Sequence, residues 1–482
     1  MTRWRHLLPL LLAVGAAAHP AQDSLVGVWS GDLREGSSRI PFSVEFKEGH
    51  PVSMLLDIPE LKFRRLGPYP VKETPTGMKA DDFSFRSGPD GESLVGDWSF
   101  DGHRVDLVLR RGPLAPRPAP RETEVPVARP VWTVATGGPI WSPPAADEER
   151  VYFGSNDGKV YARDVRTGAP LWEFATGKAV VAPPTLAGNY VHVLSDDGGL
   201  YKLRKDSGAL IWRFETHGGS IPRVFPLPGK DDTYDVFGSG ATVAGGLVYV
   251  GSADGKVYAV DDRTGKERWH FETHGIVRST PAVVGGRVYF GSRDHKVYCV
   301  DALTGELLWS HDSPREIVSS PLLAGGTVFI GSRSSDLLAL DALTGATRWS
   351  YFYWSSWVES SARIRNGILY VGSSDYQQLL AIRASSGGKV WAFSTGGSAW
   401  ATPWVENDRV YIGAVGVLHY FMEHAGGFFA VDRATGKGVW RYPFAPLPGE
   451  DLYGVASSPR VSRGLVLFGA LDGTFYAFPG SP

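Results

Sequence analysis

Short runs of alternating apolar and polar residues, separated by glycine, proline and aspartate, fill the first part of the chain. Six such runs lie within residues 24–111, among them IPFSVEF and RVDLVLRR. Alternation with a period of two is typical of strands that bury one face. The pattern therefore predicts an all-β unit, a small β-barrel or sandwich, over residues 24–111. Residues 112–130 are rich in proline and are predicted to form a semi-rigid linker.

From residue 131 onward the hydrophobic pattern repeats about every 40 residues. The repeat VRSTPAVVGGRVYFGSRDHKVYCVDALTGELLWSHD reads as four short strands, which we call A, B, C and D in chain order. Four antiparallel strands per repeat predict a blade of a β-propeller, and eight A strands predict eight blades. A tryptophan lies in strand D of each repeat. These residues are Trp132, Trp172, Trp212, Trp269, Trp309, Trp349, Trp391 and Trp440.

The repeats begin and end out of phase. The first copy, PVWTVATGG, is a strand D without a preceding blade, whereas the last copy, VASSPRVSRGLVLFGALDGTFYAF, has strands A, B and C only. A propeller must protect its open sheet edges, and pairing both ends of the repeat region in one blade does so. We therefore expect residues 131–135 to pair with the last blade, so that residues 131–482 form a closed eight-bladed ring.

The turn between strands C and D carries a family resemblance. The segments YAVDDRTGKERW (258–269), VDALTGELLW (300–309) and VDRATGKGVW (431–440) resemble the tryptophan-docking motif of pyrroloquinoline quinone (PQQ) repeat propellers. That family includes eight-bladed quinoprotein dehydrogenases and a non-enzymatic lipoprotein of outer-membrane protein assembly. The resemblance implies that the eight repeat tryptophans are structural and pack between blades.

Chain direction assigns the loops to two faces. The D-to-A and B-to-C loops share one face, which we call the insertion face, and the short A-to-B and C-to-D turns share the other, the turn face. The irregular segments 218–236, 351–359, 414–427 and 442–455 all belong to the insertion face. Because loops on a rigid scaffold commonly carry function, we predict that this face binds a partner. The alternative is that these loops tolerate substitutions and insertions and that their sequences have drifted without a function.

Strand A of every blade is predicted to line the central channel. One residue per blade lies ten positions before the first valine of strand B, or before leucine in blade 6, and these residues should form one ring. The ring consists of Trp141, Val181, Gly238, Arg278, Val318, Glu359, Trp400 and Ala456.

The ring is a candidate ligand site. Its two tryptophans and its one charge of each sign suit a planar or carbohydrate-like ligand. Trp357 and Tyr453 are predicted just above it, at the channel mouth on the insertion face. The alternative is an Arg278–Glu359 ion pair that plugs the channel, with the tryptophans as filler.

Composition and cysteine count reduce the number of possible functions. Lysine and arginine total 49 against 51 acidic residues, a balance that argues against nucleic-acid binding. The sole cysteine, Cys299, excludes the vicinal disulfide that the resemblance implies for quinoprotein dehydrogenases, and it is predicted to be buried and inert. The ring offers few of the oxygen ligands that Ca²⁺ needs, and no C-x-x-C-H haem motif is present.

The same reasoning gives the predicted function. His419, Glu423 and His424 match no strong metal motif, so no metal site is predicted. We predict a non-catalytic binding or scaffold module without a cofactor. A dehydrogenase that uses PQQ with Ca²⁺ is the alternative.

The first 18 residues predict export. Arg3 and Arg5 precede a short apolar run from Leu7 to Val14, and an Ala-Ala-Ala cleavage site follows, as in a signal peptide. The absence of a cysteine at that site argues against a lipid anchor, and no later run is long enough to cross a membrane. We expect a periplasmic or extracellular monomer whose partner is a protein, a glycan or a small planar ligand.

Overall fold

The computed structural model describes residues 25–35, 38–49, 51–59, 63–75, 77–100, 102–114, 125–224, 235–354, 356–418 and 424–480. The chain divides into two units, Met1–Ala119 and Pro120–Pro482. The predicted signal peptide lies outside the described residues. Among those residues no helix is both long and apolar enough to span a bilayer.

The described part of the N-terminal unit is one antiparallel sheet of nine strands. They are β1 (Gly27–Glu35), β2 (Ser38–Lys47), β3 (Ser53–Ile58), β4 (Phe63–Pro70), β5 (Lys72–Thr74), β6 (Gly77–Ala80), β7 (Phe83–Ser87), β8 (Ser93–Phe100) and β9 (His103–Arg111). The sheet order is β4-β3-β2-β1-β9-β8-β7-β6-β5. Alternate apolar residues are buried, as Phe42, Val44 and Phe46 are on β2. The unit is therefore a barrel-like sheet and not a two-sheet sandwich.

The second unit is an eight-bladed propeller, as predicted. Strand β10 (Trp132–Ala135) comes first. Blade 1 contains β11 (Ala145–Ala146), β12 (Arg150–Gly154), β13 (Lys159–Asp164) and β14 (Pro170–Ala175). Blade 2 contains β15 (Thr185–Ala187), β16 (Tyr190–Leu194), β17 (Gly199–Arg204) and β18 (Leu210–Glu215). Blade 3 contains β19 (Thr242–Ala244), β20 (Leu247–Gly251), β21 (Lys256–Asp261) and β22 (Glu267–Glu272). Blade 4 contains β23 (Ala282–Val284), β24 (Arg287–Ser292), β25 (Lys296–Asp301) and β26 (Leu307–Asp312).

The remaining four blades follow the same order. Blade 5 contains β27 (Leu322–Ala324), β28 (Thr327–Gly331), β29 (Asp336–Asp341) and β30 (Thr347–Phe352). Blade 6 contains β31 (Arg363–Arg365), β32 (Ile368–Gly372), β33 (Gln378–Arg383) and β34 (Lys389–Ser394). Blade 7 contains β35 (Trp404–Glu406), β36 (Arg409–Val417), β37 (Gly427–Asp432) and β38 (Gly438–Pro443), and β39 (Leu452–Gly454) pairs with β36. Blade 8 contains β40 (Arg460–Ser462), β41 (Leu465–Gly469) and β42 (Thr474–Pro479). A 3-10 turn spans His217–Ser220.

Both ends of the repeat region meet in blade 8, which we call the closing blade. Strand β10 pairs antiparallel with β42, with Trp132 opposite Ala477. Just before β10, the backbone N–H of Ala128 donates to the carbonyl of Arg441 on the outer strand of blade 7, at 2.9 Å. The segment that follows the linker thus binds blade 7 and then supplies the outer strand of blade 8, so the closing blade has four strands.

The repeat tryptophans fill the interfaces between blades. Six of them donate from Nε1 to a backbone carbonyl of the next blade at 2.9–3.1 Å, namely Trp172, Trp212, Trp269, Trp309, Trp349 and Trp391. The Nε1 atoms of Trp132 and Trp440, on either side of the closing blade, have no hydrogen-bond partner among the described residues. A turn glycine lies beneath every one of these rings except that of Trp440, and it is required there: a Cβ on Gly168, for example, would lie 2.6 Å from the Trp132 ring, and its φ is +72°.

Candidate functional site

A cavity of about 560 Å³ occupies the central channel and is lined by strand A residues of all eight blades. Its lining includes every residue of the predicted ring: Trp141, Val181, Gly238, Arg278, Val318, Glu359, Trp400 and Ala456. The constant ten-residue offset therefore brought together residues that do lie around one cavity. A ligand-binding role for them stays a prediction.

The two charged ring residues do not pair with each other. Arg278 Nε lies 2.9 Å from both carboxylate oxygens of Asp235, which belongs to the 218–236 insertion. Glu359 Oε1 accepts hydrogen bonds from Arg333 Nε at 2.9 Å and Nη2 at 2.7 Å, and both of these side chains are fully buried. The structure thus replaces the single ion pair of the alternative interpretation with two, each formed with a loop of the insertion face.

Asp235 is held in its charged form. Burial alone would raise the pKa of its carboxyl group, but the guanidiniums of Arg278 and Arg223 outweigh burial and hold the pKa below its ordinary value. Arg223 also orders the described part of the insertion, because its Nε donates to Asp196 at 2.7 Å and its Nη1 to the carbonyl of Asp235 at 3.0 Å. Residues 225–234 of this insertion lie outside the described residues.

The ring tryptophans are packed, not open to solvent. Trp141 is 7% and Trp400 is 5% exposed, and both belong to an apolar cluster with Val236 and Val415 from the insertions. Trp400 Nε1 also donates to Ser374 Oγ at 3.0 Å. We expected an open channel mouth on the insertion face. Instead, the apolar side chains of Val236 and Val415 from the insertions are buried against the ring tryptophans there.

Trp357 and Tyr453 do not line the cavity. The guanidinium of Arg333 lies over the Trp357 ring, 4.7 Å from its centroid. The Tyr453 hydroxyl donates to the carbonyl of His424 at 3.0 Å, and its backbone belongs to β39, which pairs with β36. Residues 415–417 of one insertion and 452–454 of the other thus form one two-stranded ribbon. A ligand role for Trp357 and Tyr453 stays a prediction.

From the ring the cavity extends along strand A toward the turn face. Side chains two and four residues beyond a ring residue share its side of the strand because successive side chains alternate. The second layer of the lining includes the hydroxyl residues Thr280, Ser320, Ser361, Thr402 and Ser458. The third layer consists of Ala145, Thr185, Thr242, Ala282, Leu322, Arg363, Trp404 and Arg460. The cavity therefore opens on the turn face, opposite the insertions.

Blades 6 to 8 make the third layer basic and aromatic. The guanidinium carbons of Arg363 and Arg460 lie over the Trp404 ring, 5.7 and 4.3 Å from its centroid. Trp404 Nε1 donates to Glu406 at 3.1 Å, which orients the indole. Sequence reasoning missed these residues because it compared the blades at one position only. The same offset, moved four residues along strand A, would have found them.

The donor set of the ring does not fit the Ca²⁺ and PQQ pair implied for quinoprotein dehydrogenases. Calcium takes six to eight oxygen ligands, and the one carboxylate of the ring, on Glu359, is engaged by Arg333. Cys299 is fully buried in β25, where burial raises the pKa of its thiol. Within the described ranges no three His, Cys, Asp or Glu side chains cluster as a metal site would require. His419 and Glu423 lie outside those ranges.

A family model agrees with this architecture. The model described as outer membrane protein assembly factor BamB matches residues 127–231, 205–357 and 353–442. A search of curated proteins finds no significant match.

Solved structures share the fold. BamB from Moraxella catarrhalis is 17% identical with a TM-score of 0.56, and the alignment covers 73% of this chain and 98% of that one. A quinohemoprotein alcohol dehydrogenase from Comamonas testosteroni is 13% identical with a TM-score of 0.57, covering 73% and 77%. The computationally designed protein Ika8 is 19% identical with a TM-score of 0.58, covering 72% and 97%. Likeness at these identities concerns the fold alone.

Proposed function

The chain belongs to the family described as outer membrane protein assembly factor BamB, and on that premise we propose that it works as an exported, non-catalytic binding or scaffold module. The fold by itself allows two kinds of activity, since BamB and a quinohemoprotein alcohol dehydrogenase both share it. The choice between them rests on the residues of the channel.

The Arg333–Glu359 pair carries the proposal. Glu359 is the one ring residue with the chemistry of a calcium ligand or a general base, and its carboxylate is buried against Arg333. Freeing it would leave the Arg333 guanidinium buried without compensation, which costs about 3–5 kcal/mol. The packing of Val236 and Val415 against the ring tryptophans on the same side further supports a packed scaffold over a redox site.

The insertion face is the proposed partner surface. The β36–β39 ribbon holds the loop that precedes β39 in a defined place, with Val415 opposite Gly454. Residues 445, 446 and 448–450 of that loop are exposed. A rigid base beneath an exposed loop lowers the entropic cost of binding. A protein or glycan partner would meet this surface, and a basic and apolar N-terminal segment with a small-residue cleavage site supports export.

Cofactor binding tests the non-catalytic part of the proposal. The purified protein is incubated with PQQ and CaCl₂, desalted, and examined by absorbance and by reduction of a dye acceptor with alcohols and aldoses. We expect neither retained quinone absorbance nor dye reduction. Stoichiometric retention of PQQ with dye reduction would reverse the assignment in favour of a dehydrogenase.

Site-specific cross-linking tests the partner surface. A photo-cross-linking amino acid replaces Glu450 in the exposed loop of the insertion face, or, as a matched control, Leu303 in a C-to-D turn, where the side chain is 76% exposed. We expect one recurrent adduct in intact cells from position 450 and none from position 303. Equal adducts from both positions, or none from either, would contradict the proposed surface.

A further inference from the structure

One wall of the cavity offers hydrogen-bond donors to whatever enters it. Four second-layer hydroxyls accept a hydrogen bond from a backbone N–H of the preceding blade, and the bond from Thr280 N to Ser320 Oγ, at 2.8 Å, is one example. The other three form the same contact at the same distance. The four are those of Thr280, Ser320, Ser361 and Ser458.

The protons of these hydroxyls remain available. Within the part of the chain that the structure describes, none of the four donates its own hydrogen to another protein group. A hydroxyl whose acceptor position is used in this way offers a donor to the cavity. Blades 4, 5, 6 and 8 thus contribute a row of O–H donors.

The opposite wall differs. Thr185 Oγ1 donates to the carbonyl of Ala241 at 2.7 Å, and Thr242 Oγ1 donates to the carbonyl of Pro281 at 2.6 Å. Blades 2 and 3 therefore use their hydroxyl protons between blades. The donor character is confined to one side of the cavity, which is the side that also contains Arg363 and Arg460.

The two third-layer arginines have no ion-pair partner among the described residues, and Arg460 Nε is buried without a hydrogen bond. Arg363 is reachable by water inside the cavity yet surrounded by protein, and burial followed by repulsion from Arg460 lowers its pKa. Burial also lowers the pKa of Arg460, although Glu406 partly offsets it. Since arginine stays charged in proteins, the two neighbouring guanidiniums repel each other, and an anion between them would offset that repulsion.

We propose that Arg363, Trp404 and Arg460, with the adjoining hydroxyl row, form a site for a small soluble ligand that carries a carboxylate or phosphate on a sugar-like ring. Guanidinium forks bind oxyanions in bidentate fashion, the hydroxyl row matches ring and hydroxyl oxygens, and the volume lies within the usual range of small-molecule sites. The site goes beyond the proposed function, since it opens on the turn face and shares no residue with the partner surface.

Calorimetry on the full chain tests the site. D-glucuronate carries a carboxylate on a sugar ring, D-glucose 6-phosphate carries a phosphate, and D-glucose has the sugar ring without an anionic group. We expect at least one of the two anions to bind with a Kd of about 10 mM or lower. It should bind at least about tenfold more tightly than glucose, and its affinity should fall as salt is added. The stronger of the two anions identifies the oxyanion.

Paired variants test whether the anion binds at the cavity wall that contains the two arginines. Arg363→Gln with Arg460→Gln should weaken the anion at least about tenfold and abolish the rise in melting temperature that the anion produces. Arg365→Gln, an exposed arginine on the same strand outside the cavity lining, is the matched control and should bind as the parent does. If the double variant does not fold, Ser361→Ala with Ser458→Ala replaces it, with a smaller loss expected.

Three results would overturn the site. They are the absence of anion binding to the parent protein, anion binding no tighter than that of glucose, and a folded arginine or serine variant that binds as well as the Arg365→Gln control. The cross-linking experiment at position 450 involves none of these residues, so the two proposals fail independently.

Discussion

The two sides of the channel ring treat buried charge in opposite ways. On the insertion side, Arg278 and Glu359 each have a counter-ion from a loop, and the two tryptophans of the ring lie in an apolar cluster. On the turn side, Arg363 and Arg460 face the cavity from strands A of blades 6 and 8, and no carboxylate pairs with them in the described parts of the chain. The repeat thus determines where a side chain points, and the loops of the insertion face decide whether that charge becomes structural or remains available.

The largest expected effect concerns the Arg333–Glu359 pair. Arg333→Met leaves Glu359 as a buried carboxylate without its counter-ion, so the free energy of unfolding in urea should fall by about 3–5 kcal/mol. Adding Glu359→Leu removes the remaining charge and should recover most of that loss, because a buried pair replaced by apolar side chains is often close to neutral. A double variant as unstable as the single one would show that the pair does not behave as structural charge.

Truncation of Trp400 and of Trp404 compares how tightly the two sides of the ring are packed. Trp400→Ala should lower the free energy of unfolding by about 3 kcal/mol or more, the usual cost of truncating a buried tryptophan. Trp404 is only half-buried, so Trp404→Ala should cost about 1 kcal/mol. Urea titration of both variants measures the difference. Equal losses would mean that the turn side is as tightly packed as the insertion side.

The Asp235–Arg278 pair predicts a pH dependence. The pKa of Asp235 is depressed in the folded protein, so its contribution is present above the unfolded value, near pH 4, and is lost as pH falls through the folded value. Asp235→Asn should therefore lower stability by about 2 kcal/mol at pH 6, and its curve should approach that of the parent below about pH 4. Parallel curves over this range would contradict the assignment.

The smallest effect is expected at Arg363. Arg363→Gln removes a cation that is repelled by Arg460, so the free energy of unfolding should stay within about 0.5 kcal/mol of the parent or rise slightly. Arg278→Gln on the insertion side, the counterpart of this change, should lower it by several times that amount because Asp235 loses its partner. If both substitutions lowered the free energy of unfolding by similar amounts, the two sides would not differ in how they hold charge.

Much of the propeller could be predicted because the same sequence pattern, with the same strands and turns, recurs around the ring of eight blades. The spacing of residues such as Trp269 and Trp309, the turn glycines and the constant offset from strand B to Trp141 or Glu359 specify blades, interfaces and the ring. The missing strand D of the last repeat and the solitary one around Trp132 already implied the pairing of β10 with β42. For the N-terminal unit the sequence does not distinguish a barrel from a sandwich, because alternation identifies strands without saying which of them pair.

What the sequence determined by itself was therefore local and periodic: strand positions, turn chemistry, and which residue of each blade faces the channel. Only the tertiary structure decided that Asp235 reaches Arg278 and that Arg333 reaches Glu359, since Asp235 comes from an irregular loop and Arg333 from a B-to-C turn, 43 and 26 residues away from their partners in the chain. It also decided that two valines of the insertions pack against the ring tryptophans. Electrostatic pairing depends on distances across the ring, and no periodic pattern records the position of a loop that has no counterpart in the other blades.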